Sequence, residues 1–174
     1  PIEKYIDKLP AEWKGITIHK LLTHTSGLDD PYRILDLKKE YADEALIELE
    51  AKVPMLFKPG EKWQYSNMGY HLLGFIANKA GGQFYGDQLR QRIFEPLGMK
   101  DTYFTIPKEK ANRLVNIYTE DSTGHLKKST GGLLNGPVGP DYPLLEKKYY
   151  SGGAGLSSTI YDYAIFLQML LNGG

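Results

Sequence analysis

Cysteine is absent, which excludes disulfides, thiol nucleophiles and cysteine-based zinc sites. The absence does not fix a compartment, because many exported chains also lack cysteine. A basic excess is missing too: 21 Lys and Arg face 21 Asp and Glu, so nothing suggests a surface built for nucleic acid or anionic lipid. Charge runs such as Lys38-Lys39-Glu40 and Glu146-Lys147-Lys148 are short and read as solvated faces. No apolar run approaches the roughly 20 residues that span a bilayer. His19, His71 and His125 are scattered without metal-ligand spacing, so no metal or other cofactor is expected. An initiator methionine and a signal-peptide pattern are likewise missing, and the end at Asn172-Gly173-Gly174 reads as a helix stop. Both ends are expected to be cut points in a longer chain.

The chain does have enough apolar residues, 41% of 174, for a real core. Thr17 reads as the cap of a short helix over Ile18 to Leu22. A second helix is expected from about Asp36 to Glu50, with Leu35, Ala42, Ala45, Leu46 and Leu49 on one stripe. The clearest element starts near Met68, where Met68, Leu72, Leu73, Ile76 and Ala80 repeat at helical spacing until Gly81-Gly82. Gly69 and Gly74 inside it cost about 1 kcal/mol each relative to alanine, which points to close backbone contact with a neighbour. A fourth helix is expected from Phe84 to Phe94, stopped by Pro96. The last runs from about Ser158 to Leu171, with Tyr161, Ile165, Phe166, Met169 and Leu170 as its core set. Leu114 to Tyr118 reads as a strand, Asp121 to Gly124 as a turn and His125 to Lys128 as the return. Residues 131–150 hold Gly and Pro without period and read as a long loop. No internal repeat and no sharp domain boundary is visible.

Four ordered strings then carry a resemblance. Leu21 to Leu28 reads LLTHTSGL; Phe57 to Asn67 reads FKPGEKWQYSN; Phe94 to Thr102 contains PLGM followed by Asp101-Thr102; Gly152 to Asp162 contains GGAGLSST and then Asp162. In this order they resemble the class C β-lactamases, penicillin-binding DD-peptidases and related esterases. The resemblance implies a mainly α chain: one helical subdomain, residues 1–174, of the β-lactamase/transpeptidase-like fold, with one small β-hairpin and a long Gly/Pro loop. It also implies a serine acyl-enzyme mechanism with three motifs, S-x-x-K, Y-x-N, and K-T-G or H-x-G.

Only the second motif is present, as Tyr65-Ser66-Asn67; no serine has lysine three residues on. Lys128-Ser129-Thr130-Gly131 has one residue too many for K-T-G and precedes the GGAG turn, so it reads as a hairpin end. The chain is therefore expected to be a fragment lacking the upstream S-x-x-K segment and the downstream sheet segment, and inactive alone. By the resemblance, Tyr65 is the acid–base group and Asn67 the amide that contacts substrate and helps hold the first-motif lysine. The parent's partners would be a small-molecule or peptidoglycan-like substrate and the missing α/β sheet portion of its own chain, in a periplasmic or cell-surface setting. From the residues alone a blander reading stands beside this one. Ser66 or Asn67 caps the third helix, Tyr65 is an ordinary aromatic, and the chain is a non-catalytic helical binding or regulatory module. His71 reads as a rim residue of that helix, and Ser26 as a residue bonding backbone.

Overall fold

The computed structural model describes residues 1–31, 34, 41–130, 139–146 and 152–174. The chain is mainly helical, and among the described residues its one sheet is a two-stranded hairpin. The helices are α1 (Ile18–Leu22), α2 (Asp43–Glu50), α3 (Asn67–Gly81), α4 (Tyr85–Leu89), α5 (Glu95–Leu97) and α6 (Ile160–Leu171); the strands are β1 (Tyr118–Glu120) and β2 (Leu126–Lys128). Two compact units emerge. One comprises Pro1–Met99 with Lys148–Gly155, the other Lys100–Lys147 with Leu156–Gly174.

The first unit holds the hydrophobic core. Leu72, Met68, Phe75 and Ile76 of α3 are buried among Leu21, Leu28 and Ile47. The N-terminal residues Ile2, Ile6, Trp13 and Ile16 complete the cluster, Ile2 and Trp13 from two single 3-10 turns, Ile2–Lys4 and Ala11–Trp13. Truncating a fully buried Trp such as Trp13 to Ala removes about 3–5 kcal/mol. Thr17 caps α1 as its sequence predicts, its hydroxyl accepting from the Lys20 N–H at 3.2 Å. Gly82, at φ 67°, ends α3 in the left-handed region that glycine tolerates. The close approach implied by the helix glycines is found at Gly152. A β-carbon there would lie 2.2 Å from the Tyr70 carbonyl oxygen and 3.0 Å from the Gly74 nitrogen.

Other expectations shift. The proposed start of the second helix at Asp36 and most of the 131–150 loop lie outside the described residues; α2 is described from Asp43, and a 3-10 turn occupies Tyr142–Leu144. The chain does not stop turning at Pro96. A π turn over Arg90–Phe94 carries α4 into α5, which ends at Gly98 with φ 71°. Proline lacks an N–H and crowds the carbonyl four residues back, and the wider turn just before it relieves that crowding. The first strand begins at Tyr118 rather than Leu114, and a 3-10 turn over Lys108–Arg113 precedes it. Tyr118 pairs with Lys128 and Glu120 with Leu126. Ser129 then bonds the Ile117 carbonyl, extending the hairpin end.

The second unit joins the C-terminal ends of two of the recognised strings. Asp162, buried at the start of α6, accepts from the Asp101 N–H at 2.7 Å and the Thr102 hydroxyl at 2.8 Å. Tyr103 and Ser157 form an isolated antiparallel bridge beside them. The apolar residues of α6 do not form the expected core: Tyr161, Ile165 and Leu170 are exposed and Phe166 and Met169 only half-buried. Helical period predicts which face is apolar; what covers that face is a tertiary matter.

Candidate active site

The loop after α1 and the loop before α3 are stitched together by backbone bonds. Leu56 N–H donates to the Gly27 carbonyl at 2.9 Å, Gly60 to Thr25 at 2.7 Å, and Gln64 to His24 at 2.9 Å. Gly27 has φ 84°, and a β-carbon there would lie 2.1 Å from the Phe57 carbonyl oxygen, so only glycine allows this approach. Ser26 is buried and its hydroxyl accepts from the Leu28 N–H at 3.4 Å, the backbone role expected of it.

These contacts deliver Tyr65-Ser66-Asn67 to the head of α3. Ser66 is extended, buried, and caps the helix by accepting from the Gly69 N–H at 3.1 Å. Tyr65, one residue earlier, is 54% exposed. Asn67, the first helical residue, is exposed, and its Nδ2 donates to Asp30 Oδ2 at 2.6 Å. Asp30 also accepts from the Met68 N–H at 3.0 Å and the Ser66 hydroxyl at 3.4 Å. A carboxylate is favourable there, because free N–H groups and the helix dipole make that end positive.

His24 lies against Tyr65. Their ring centres are 4.4 Å apart, and the other neighbour, Tyr70, is 5.1 Å away. Trp63 meets the same imidazole edge-on at 6.1 Å. Tyr70 is anchored by donating its hydroxyl to the Leu22 carbonyl at 3.1 Å. The Ser66 N–H donates to His24 Nδ1 at 3.2 Å. Accepting there requires that nitrogen to be without a proton, which leaves the neutral ring protonated on Nε2.

One turn along α3 from Asn67, His71 is not a rim residue. It is 7% exposed and packs against two buried carboxylates, Glu50 and Asp43. Its Nδ1 lies 3.0 Å from Glu50 Oε1 and 3.1 Å from Oε2, and its Nε2 lies 3.6 Å from Asp43 Oδ1. Burial opposes its charge, yet Asp43 and Glu50 outweigh burial and raise its pKa to about 9. Burial likewise pushes the Glu50 carboxyl upward, with His71 opposing. Both shifts favour an extra proton on a cluster in which one imidazolium faces two carboxylates.

Tyr65 and Asn67 flank the buried cap Ser66 and are both exposed, Tyr65 against His24 and Asn67 on Asp30; Asp30, His24 and the His71 cluster are the residues that sequence alone did not assign. A surface cleft lined by Lys14, Lys20, Met55, Phe57 and Lys58 contains none of them. Among the described residues no group of His, Asp and Glu is arranged to hold a metal ion. None of the described helices is long and apolar enough to cross a membrane.

The family model described as Beta-lactamase matches residues 1–174. A protein of Escherichia coli (strain K12) that carries the name of a D-alanyl-D-alanine carboxypeptidase is 32% identical over 134 residues, 74% of this chain and 31% of that protein. A penicillin-binding protein of Bacillus subtilis (strain 168) is 35% identical over 107 residues, 58% of this chain and 23% of that protein. Among solved structures, the D-amino acid amidase of Ochrobactrum anthropi SV3 superposes with a TM-score of 0.74 at 28% identity, over 99% of this chain and 48% of its own. The match therefore spans under a third of those curated relatives and about half of that amidase. With four motif strings in order, a helical fold that superposes and a match along its whole length, the chain belongs to the β-lactamase family.

Proposed function

We propose that this chain supplies the Tyr-x-Asn element of a serine hydrolase that works through an acyl-enzyme on a D-alanyl-D-alanine peptide, a β-lactam or a small ester. The observation that carries the reading is the segment Tyr65-Ser66-Asn67, held at the head of α3 with Tyr65 exposed and the Asn67 amide anchored on Asp30. Acyl transfer by serine needs a group that takes the hydroxyl proton and returns one to the leaving atom. Tyr65 is that group. Its phenol becomes an effective base at neutral pH only beside cations, because tyrosine ordinarily titrates near 10. Those cations, and the serine itself, come from parts of the polypeptide outside these 174 residues, since none of the serines here has lysine three residues on. The same polypeptide supplies the sheet portion against which this helical section works. A D-alanyl-D-alanine substrate would place the protein in the periplasm or at the cell surface.

Tyr65→Phe in the complete protein tests this reading, because it keeps the ring and its packing on His24 while removing the proton-transfer group. Turnover of an ester or D-alanyl-D-alanine substrate is expected to fall ~10²–10⁴-fold, the usual scale for an acid–base group, with the thermal midpoint unchanged. Unchanged turnover would leave Tyr65 as a surface aromatic and Ser66-Asn67 as a helix start; a wild-type complete protein without turnover would instead favour a non-catalytic binding module.

A further inference from the structure

Asp30 belongs to the loop after α1, yet three donors at the head of α3 converge on its carboxylate: Asn67 Nδ2 at 2.6 Å, Met68 N–H at 3.0 Å and the Ser66 hydroxyl at 3.4 Å. We propose that Asp30 is a positioning residue that fixes which way the Asn67 amide faces. A carboxylate is an acceptor only, whereas an amide carries two donors on one side and an acceptor on the other. With the NH2 group turned to Asp30, one Nδ2 hydrogen is engaged in a charge-assisted bond and the other stays available. The carbonyl Oδ1 is then turned away from Asp30, ready to accept. A reversed amide would set oxygen against oxygen at hydrogen-bond distance and lose the contact.

The inference rests on the reading of Asn67 proposed above and gives its two ends separate tasks. Oδ1 accepts from a cation, such as the lysine of an S-x-x-K motif, and the remaining Nδ2 hydrogen donates to a substrate carbonyl. An Asn67 free to turn over would offer each partner the wrong group half of the time. Asp30 touches neither substrate nor nucleophile in this scheme, so it acts through Asn67.

Asp30 also caps α3 through Met68, so alanine at this position would confuse fold with function. Asp30→Asn separates them. Its amide oxygen can still accept from Met68 and Ser66, while its NH2 would face the NH2 of Asn67. The first measurement is NMR of the complete protein with asparagine side-chain amides labelled. One Asn67 Nδ2 proton is expected to be shifted downfield and protected from exchange, and Asp30→Asn should abolish that protection. A wild-type Asn67 amide that exchanges like a free one would overturn the proposal, whether or not the protein is a hydrolase. The second measurement is turnover. Asp30→Asn is expected to lower kcat roughly 10- to 100-fold, the scale of a misoriented site group, with little change in KM. Full turnover in a folded Asp30→Asn enzyme would also overturn it. If Tyr65→Phe keeps full turnover, the acid–base reading fails instead, and the amide measurement still decides the orientation of Asn67.

Discussion

At the scale of single residues, His24 shows how much local discomfort the site tolerates. It holds φ 56°, a left-handed conformation uncommon outside glycine, in which asparagine and histidine are enriched. Beside its backbone bonds, its side chain is held there by the Ser66 N–H on Nδ1 and by ring contacts with Tyr65, Tyr70 and Trp63. Two variants separate these. His24→Asn keeps an acceptor near the position of Nδ1 and tolerates the backbone, but loses the stack. His24→Phe keeps the stack, but leaves the Ser66 N–H without its acceptor and places a poorly suited residue at positive φ. Urea unfolding should therefore show His24→Asn within about 1 kcal/mol of wild type and His24→Phe less stable by about 1–3 kcal/mol. The opposite order would mean that stacking dominates. Tyr65 and Asn67 were legible as a motif because they sit two residues apart. Asp30 and His24 were not, since they meet Ser66 and Asn67 from 36 to 42 residues away, and no local pattern records such a pairing.

At the scale of elements, α3 was readable because its period, cap and terminal glycines agree with one another. The single 3-10 turns that deliver Ile2 and Trp13 to the core were not, because three residues have no period. His71 was misplaced for a related reason. It follows the apolar stripe of α3 but is polar, and only the carboxylates on α2 explain its burial. The Asp43–His71–Glu50 cluster ties those two helices with charge, and its stability must depend on pH. A pKa of about 9 in the fold lies above the ordinary 6.5, so the proton on His71 stabilises the fold fully below pH 6.5. That contribution, on the order of 3 kcal/mol, is lost as the pH rises through 9. Glu50 acts in the same sense, its raised pKa meaning that ionising it in the fold is opposed; the charge of Asp30 adds to that. Unfolding free energies should fall between pH 6.5 and 9, and His71→Gln should flatten the slope while lowering stability at its acid end. Equal slopes in the two proteins would show that the cluster does not hold the extra proton.

At the scale of the whole molecule, the four strings identified the family and its helical character, and the structure gives them physical reasons to be there. The first two are the paired loops that present Tyr65 and Asn67, with the Gly152-Gly153 turn seated on the backbone of α3. The others are joined in the second unit by Asp162 on Asp101 and Thr102. The division into two units was not legible, because no composition shift marks the crossing after Met99. Nor was the exposure of α6, whose Ile160, Tyr161 and Leu171 are each about four-fifths exposed. In the proposed mechanism the groups that would make Tyr65 a proton-transfer group rather than a surface phenol are not among these residues, which sets the decisive measurement. The complete protein and the 174-residue chain would each be incubated with a labelled β-lactam and a labelled activated ester, digested, and mapped by mass spectrometry. The account predicts a stoichiometric acyl adduct in the complete protein, on a serine outside these residues with lysine three positions on, and no adduct on the 174-residue chain. An adduct on Ser26, Ser66 or any other serine of this chain, or none on the complete protein with either probe, would contradict it.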